Sequence, residues 1–418
     1  MSASEYSKYL QFDITSADGE KTVDISPGVS EFRFYEDIFS PVMTSKIVVM
    51  DSGKNRINGD KFNEPLYSGL PIQGYESFKI KIENQRKQIL NLNDLKCFLP
   101  SGLITKNNNE FFSLNLISKD YFTDSTSRVQ RKLPAVASNQ NVESILKREL
   151  QTDKQYFSNP STSKFSYQGN NRKPFTVIMN IAGRSVGDKP DKSSGFLFYE
   201  TRRGYNFFST DYLSSQPSAE EYFYTNVMRT QYDPQGFDLN RKILSYSEEQ
   251  TKDLIKVTQY GGYGSKRYVI NPYTTSTIDK PIEFKIDDSS FAIDTLGKSS
   301  WKAPEELSEK QSRLFSAVLD LENNPSEVNI DYSQFLSQSP FRYNVLFSQV
   351  INITIPSNFD LHAGDVISVN IPKVGCNYEY DDVISGKYLI KELCHYISAQ
   401  QSYTYLRLIR DTNGRKTQ

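Results

Sequence analysis

The sequence predicts a mainly β fold with a minor α component, and three observations carry that prediction. Aromatic residues are abundant, with 27 Tyr and 26 Phe in 418 residues, and such side chains favour the half-buried face of a pleated sheet. Short segments alternate apolar and polar residues with a period of two. Turn dipeptides ending in glycine punctuate them: Asp18-Gly19, Ser52-Gly53, Asn58-Gly59 and Ser101-Gly102.

Residues 1–118 read as a run of strands. Residues 46–50 (KIVVM) form an apolar stretch between Pro41 and Gly53. In residues 78–83, Phe78, Ile80 and Ile82 face one side while Lys79, Lys81 and Glu83 face the other. Residues 95–99 and 111–117 continue the series. Residues 119–234 change character and predict a small α+β domain. Val142, Ile145, Leu146 and Leu150 recur at helical spacing, with Asn139 or Asn141 placed to cap. A second helix is predicted from Pro174, a residue suited to a first turn, through Ile178 and Ile181. Residues 183–194 predict a mobile loop. Residues 195–208 predict a hairpin whose aromatic arms flank a turn at Arg202-Arg203-Gly204.

Strands return in residues 235–285, at 254–259, 267–271 and 282–286. Residues 286–344 read as an insertion with one amphipathic helix at 304–322. Leu307, Leu314, Phe315, Val318 and Leu321 share a face of it, and Asn323-Asn324-Pro325 stops it. Residues 345–412 are β again: Ile351, Ile353 and Ile355 alternate with Asn352 and Thr354, and residues 366–371, 387–393 and 403–409 follow suit. Residues 413–418 read as a frayed polar tail.

Two pairs of segments hint at an internal repeat. Residues 74–82 parallel 364–371, and residues 114–118 (LNLIS) parallel 406–410 (LRLIR), in the same order and with similar separation. A duplicated barrel is the expected consequence.

Charge and cysteines narrow the function classes. With 49 basic and 50 acidic residues the net charge is -1, which does not suggest a nucleic-acid binder. Cys97, Cys376 and Cys394 lie far apart and are odd in number, so a disulfide framework is not expected. The opening residues lack a basic and an apolar region, so no secretion signal is expected, and no apolar run approaches the length of a membrane helix. The glycosylation-type triplet Asn352-Ile353-Thr354 falls inside a predicted strand.

His362, flanked by Asp360 and Asp365, has the elements of an acid–base site, but an exposed polar turn before a strand is the expected reading. His395 adjoins Cys394, yet neighbours in a strand point to opposite faces and do not meet. The carboxylate pairs Glu220-Glu221, Asp287-Asp288, Glu305-Glu306 and Asp381-Asp382 are what a chain with 50 acids offers by chance. Residues 261–266 (GGYGSK) lack the closing Gly-Lys-Ser/Thr of a phosphate loop. Arg202-Arg203 between aromatics permits stacking on nucleic acid, but a basic hairpin turn is expected. No catalytic, cofactor-binding or metal site is predicted.

Three ordered blocks carry a family resemblance. Residues 30–52 (SEFRFYEDIFSPVMTSKIVVMDS) resemble the opening strand pair of the central baseplate hub proteins of contractile-tailed, T-even-type phages. Residues 196–213 (FLFYETRRGYNFFSTDYL) are similar to that family's aromatic hairpin. Residues 364–372 (GDVISVNIP), with 385–390 (SGKYLI) and His395, resemble its closing strands. The resemblance spans about residues 10–412, and residues 286–344 match nothing in it.

The resemblance implies a structural virion protein and no enzyme. It implies two tube-like antiparallel β-barrel domains, at 1–118 and at 235–285 with 345–412, joined by the α+β domain at 119–234. It implies a homotrimer whose six barrels form a pseudo-sixfold ring joining the hexameric tail tube to the trimeric central spike, beside neighbouring baseplate wedge proteins. DNA would transit the lumen without specific nucleic-acid binding; no cofactor and no membrane insertion are expected. The setting implied is the tail baseplate of the virion, and the host cytoplasm during assembly. Two rival expectations are a tail-associated cell-wall hydrolase and a glycan- or receptor-binding β protein.

Overall fold

The computed structural model describes residues 6–55, 57, 64–187, 194–225, 239–249, 254–259, 264–270, 282–285, 312–318, 338–375 and 379–411. Strands dominate it, and most pairings are antiparallel. The first unit contains β1 (Lys8–Thr15), β2 (Thr22–Asp24), β3 (Val29–Asp37), β4 (Thr44–Asp51), the single turn α1 (Leu66–Gly69), β5 (Ser77–Glu83), β6 (Ile89–Lys106) and β7 (Asn109–Ser118). Alternation decides which side chains go inside: Phe78, Ile80 and Ile82 are fully buried with Phe12, Phe32 and Phe34 in one core, while Lys79 and Lys81 face outward.

Between the two large units the chain forms α2 (Asp120–Thr126), β8 (Lys132–Ala137), α3 (Ser138–Arg148), β9 (Tyr156–Ser158), β10 (Lys164–Gln168), α4 (Pro174–Ala182), β11 (Phe196–Thr201), β12 (Gly204–Ser209) and α5 (Thr210–Ser214). Pro174 opens α4 as expected. Neither Asn139 nor Asn141 caps α3, which begins one residue earlier; the Asn141 side chain donates to Pro134 O instead. β11 and β12 form the predicted hairpin with Phe198 opposite Phe207. Of the loop expected at 183–194, residues 188–193 lie outside the described residues.

The second unit contains β13 (Glu221–Tyr224), β14 (Lys242–Ile243) and β15 (Ser245–Glu249). After α6 (Leu254–Gln259), β16 (Gly264–Ile270), β17 (Ile282–Lys285), β18 (Arg313–Val318) and α7 (Gln338–Val345) it resumes with β19 (Gln349–Pro356), β20 (Val366–Asn370), β21 (Gly386–Ser398) and β22 (Ser402–Arg410). One 14-stranded sheet of the described residues runs β14-β13-β20-β21-β3-β4-β7-β6-β5-β1-β2, with β22, β19 and β15 branching from β21. Leu244 N donates to Thr354 O on β19 at 2.8 Å. The branch thus returns to β14, and β13, β20, β21, β22 and β19 form a closed circuit around a core of Ile351, Ile353, Leu393 and Leu408.

Three expectations change here. Residues 254–259 form a helix, not a strand; a short apolar run fits either period. The helix expected at 304–322 is a strand over Arg313–Val318, with Leu314 66% exposed, and residues 304–311 and 319–322 lie outside the described residues. Residues 264–270 and 282–285, expected in the second barrel, form a separate three-stranded sheet in which β16 pairs with both β17 and β18, whereas β13, expected in the α+β domain, joins the large sheet. The polar tail at 413–418 lies outside the described residues.

The internal repeat is present down to single hydrogen bonds. The order β3-β4-β7-β6-β5 of the first unit matches β15-β19-β22-β21-β20 of the second, and the next strand differs: β1 lies antiparallel to β5, β13 parallel to β20. Lys96 pairs with Ile117 as Leu389 pairs with Ile409. Tyr75 N donates to Cys97 O and Gly364 N to Ile390 O; Cys97 N donates to Glu76 O and Ile390 N to Asp365 O. One residue later each strand carries a register shift, at Phe98 in β6 and at Lys391 in β21.

Candidate functional site

The hairpin β11–β12 places its turn where the two units meet. Gly204 lets the start of β12 lie close to the segment before β9: its φ is +139°, and a Cβ there would stand 2.3 Å from Gln155 O. Arg202 then reaches both units. Its N–H donates to Glu36 Oε1 at 2.8 Å, and its guanidinium donates to Ile89 O at 3.1 Å and to Phe359 O. Arg203 donates to Asp360 O at 3.4 Å and lies 3.5 Å from Asp365 Oδ1. The basic turn is therefore a clamp across the junction rather than a free patch.

His362 completes that junction. The sequence reading expected it exposed; it is 4% exposed, with Nδ1 3.2 Å from Glu36 Oε1. Its own N–H donates to Asp365 Oδ2 at 2.9 Å, and Ala363 N donates to Glu36 Oε2 at 3.0 Å. Burial acts to raise the Glu36 carboxyl, but His362 and two backbone N–H donors outweigh it and hold it below the usual carboxylate range. Glu36 was not singled out from sequence. It continues the buried series Phe32, Phe34, Ile38 at period two, and that phase was the available signal.

A second charged cluster anchors the hairpin stem. Glu200, fully buried, accepts from Met43 N and Ser118 Oγ at 3.0 Å and from Lys154 Nζ at 2.5 Å. Lys154 also lies 3.3 Å from Asp120 Oδ2, which accepts from Tyr205 and Thr152 hydroxyls at 2.8 Å. Burial acts to lower Lys154, yet Glu200 and Asp120 win and raise it, so the ammonium stays charged. A polar cavity of about 300 Å³ opens beside the cluster, lined by Asp94, Lys119, Asp153 and Arg203 among others. Glu200 had one sequence signal, a lone charge inside the apolar run FLFYET.

The remaining candidates have local roles. His395 and Cys394 point to opposite faces: His395 stacks on Phe34 and lies 3.0 Å from Thr404 Oγ1, while Cys394 adjoins Tyr35. Burial pushes His395 down to about 3, so it is neutral near pH 7. Burial pushes the Cys97 and Cys394 thiols up to about 12, which keeps them from acting as thiolates. Glu220 accepts from Arg86, Tyr222 and Asn358, and Asp381 caps a turn through Val383 N. Cys376, Asp287-Asp288, Glu305-Glu306 and residues 261–263 lie outside the described residues. Among the described residues no three His, Cys, Asp or Glu side chains stand where a metal ion could be held, and no helix is long and apolar enough to cross a membrane.

No protein-family model matches the sequence, and no curated protein matches it either. Solved structures do. A tail protein from Neisseria meningitidis MC58 superposes with a TM-score of 0.56 at 12% identity, covering 96% of this chain and 97% of that one. The 43 kDa tail protein of prophage MuSo2 from Shewanella oneidensis gives 0.52 at 10% identity, covering 96% and 98%. The chain has the fold of these tail proteins.

Proposed function

We propose that the chain is a structural hub of a phage tail baseplate and not an enzyme. In this reading three copies form a ring that joins the hexameric tail tube to a trimeric central spike, beside baseplate wedge proteins, and leave a channel for DNA. The observation that carries it is the repeat. One chain presents two strand units that share the order of five strands, a register shift at the same place and the backbone bonds beside it. Three copies of a twofold-repeated chain supply six similar units, which is what meets a sixfold ring on one side and a threefold spike on the other. The shared fold with tail proteins supports the setting, the virion tail; assembly in the host cytoplasm belongs to the same proposal. The buried, mutually satisfied clusters at Glu36 and Glu200 support a rigid connector rather than a reactive centre.

Light scattering on the purified chain across a concentration series tests the reading. A mass near three times 47.9 kDa, about 144 kDa, that persists on dilution is expected. A monomer at every concentration overturns it.

A further inference from the structure

We infer that the cavity between the aromatic hairpin and the loop before β20 is a binding site for an uncharged sugar residue in its pyranose form. This goes beyond the structural role above and does not depend on how many copies assemble.

The cavity has a volume of about 360 Å³, within the ~300–1,000 Å³ of small-molecule sites. One face of the sheet β11–β12–β9 lines it, and there Tyr199 and Asn206 stand directly opposite each other. Both are more than nine-tenths buried, Tyr199 at 2% exposure and Asn206 at 8%. Asn206 Nδ2 donates to Thr201 Oγ1 at 3.1 Å and to Gly204 O at 3.0 Å, which fixes the amide and leaves Oδ1 as an acceptor. Neither Asn206 Oδ1 nor the Tyr199 hydroxyl has a hydrogen-bond partner among the described residues. Gly364 makes room for that hydroxyl, since a Cβ there would stand 2.1 Å from it. Buried polar side chains are normally satisfied. Two open ones, side by side in the lining of one cavity, mark a place that a polar partner fills.

The rest of the lining selects the partner. Asp365 Oδ2 accepts from His362 N, and Oδ1 lies 3.5 Å from Arg203, whose side chain is 55% exposed. That pair offers further acceptor and donor positions with balanced charge. Aromatic rings supply the remainder: Phe208 and Tyr212 stack with centroids 4.8 Å apart and planes at 14°, and Phe157 and Tyr212 are 37% and 40% exposed. A pyranose has a C–H face that packs on an aromatic ring, whose own face carries partial negative charge. It also has a rim of hydroxyls, each of which donates and accepts. Such a rim can donate to Asn206 Oδ1 and Asp365 and accept from Tyr199 and Arg203. An anion meets Asp365 there, and a cation meets Arg203. A hydrocarbon leaves Asn206 and Tyr199 unpaired.

Saturation-transfer NMR on the full chain reads the contact from the sugar side. The probes are the methyl glycosides of glucose, galactose, mannose, N-acetylglucosamine and N-acetylgalactosamine, at millimolar concentration. Transfer to the ring protons of at least one is expected. Tyr212→Ala, which removes an exposed ring, is expected to abolish it. Tyr199→Phe is expected to weaken it about five- to tenfold. The same variant is expected to keep the wild-type urea midpoint, because the hydroxyl has no partner among the described residues. No transfer from any probe overturns the inference. Transfer that survives both variants overturns it too, because the sugar then binds elsewhere, and so does equal transfer from sorbitol or adenosine. A midpoint lowered by Tyr199→Phe overturns the assignment as well, since the hydroxyl then serves the fold. For the best probe, transfer confined to the terminal residue of its trisaccharide assigns the end of a glycan, and transfer from the monosaccharide alone a free sugar; both uphold the pocket.

Discussion

His362 Nδ1 stands 3.2 Å from Glu36 Oε1, both side chains at least 95% buried and drawn from opposite units of the chain. Glu36 also accepts the backbone N–H groups of Arg202 and Ala363. One carboxylate therefore ties together the first unit, the hairpin turn and the second unit.

Removing that carboxylate leaves three donors buried without an acceptor. Glu36→Ala is expected to cost about 3–5 kcal/mol, the range for breaking a buried pair from one side, read as a shift in urea unfolding at pH 7. Glu31→Ala, which removes the partner of the more exposed Arg33, is expected to cost no more than about 1 kcal/mol. Because Glu36 is held below the usual carboxylate range, its contribution is present above its unfolded value near ~4.3 and is lost as pH falls through its folded value. The gap between wild type and Glu36→Ala is expected to narrow only below about pH 4.

His395 sets a different pH dependence. Its ring is packed between Phe34 and Phe359, beside Thr404, with Glu36, Arg202 and His362 as the charged neighbours. Burial pushes it down to about 3, whereas an unfolded histidine titrates near ~6.5. The unfolded chain therefore binds a proton that the folded chain refuses. Stability is full above about pH 6.5 and falls by roughly 1.4 kcal/mol per pH unit below it. His395→Gln is expected to lose about 2 kcal/mol less than wild type between pH 7 and pH 5 in urea titrations. Equal losses would remove His395 as the source.

The alternating strands were legible because burial there follows local spacing: Phe78, Ile80 and Ile82 are buried where period two puts them. Phe198 and Phe207 meet because an aromatic run, a short basic turn and a second aromatic run leave a hairpin few other options. The junction was not legible. His362 looked like a turn residue because its partner, Glu36, lies 326 positions away. Nor was residues 313–318 as a strand, since its pairing with β16 is supplied by residues 265–270. A register shift such as that at Phe98 leaves no mark in composition; it became visible only beside Lys391.

Gly204 fixes how closely the hairpin turn approaches its neighbour. With φ at +139° and a would-be Cβ 2.3 Å from Gln155 O, Gly204→Ala meets both a backbone penalty of about 1–3 kcal/mol and a clash with a carbonyl that already accepts from Tyr205 N. A urea midpoint clearly below wild type is expected. A midpoint unchanged would mean that the turn relaxes freely beside Gln155 and that Gly204 is not required there.

The Lys154–Glu200 pair allows the junction's charge to be separated from its shape. Lys154→Met keeps most of the side-chain volume but leaves the fully buried Glu200 facing Asp120 without a cation, at an expected cost of about 3–5 kcal/mol. Adding Glu200→Gln removes the stranded charge while keeping one acceptor oxygen for Met43 N and placing an N–H donor beside Ser118 Oγ. The double variant is therefore expected to be more stable than Lys154→Met alone, by more than about 1 kcal/mol of coupling in a double-mutant cycle. Additive losses would mean that the two residues act through packing alone. In that case the hairpin is held by its aromatic core, Phe175, Phe198 and Tyr205, and the ion pair contributes only its fit.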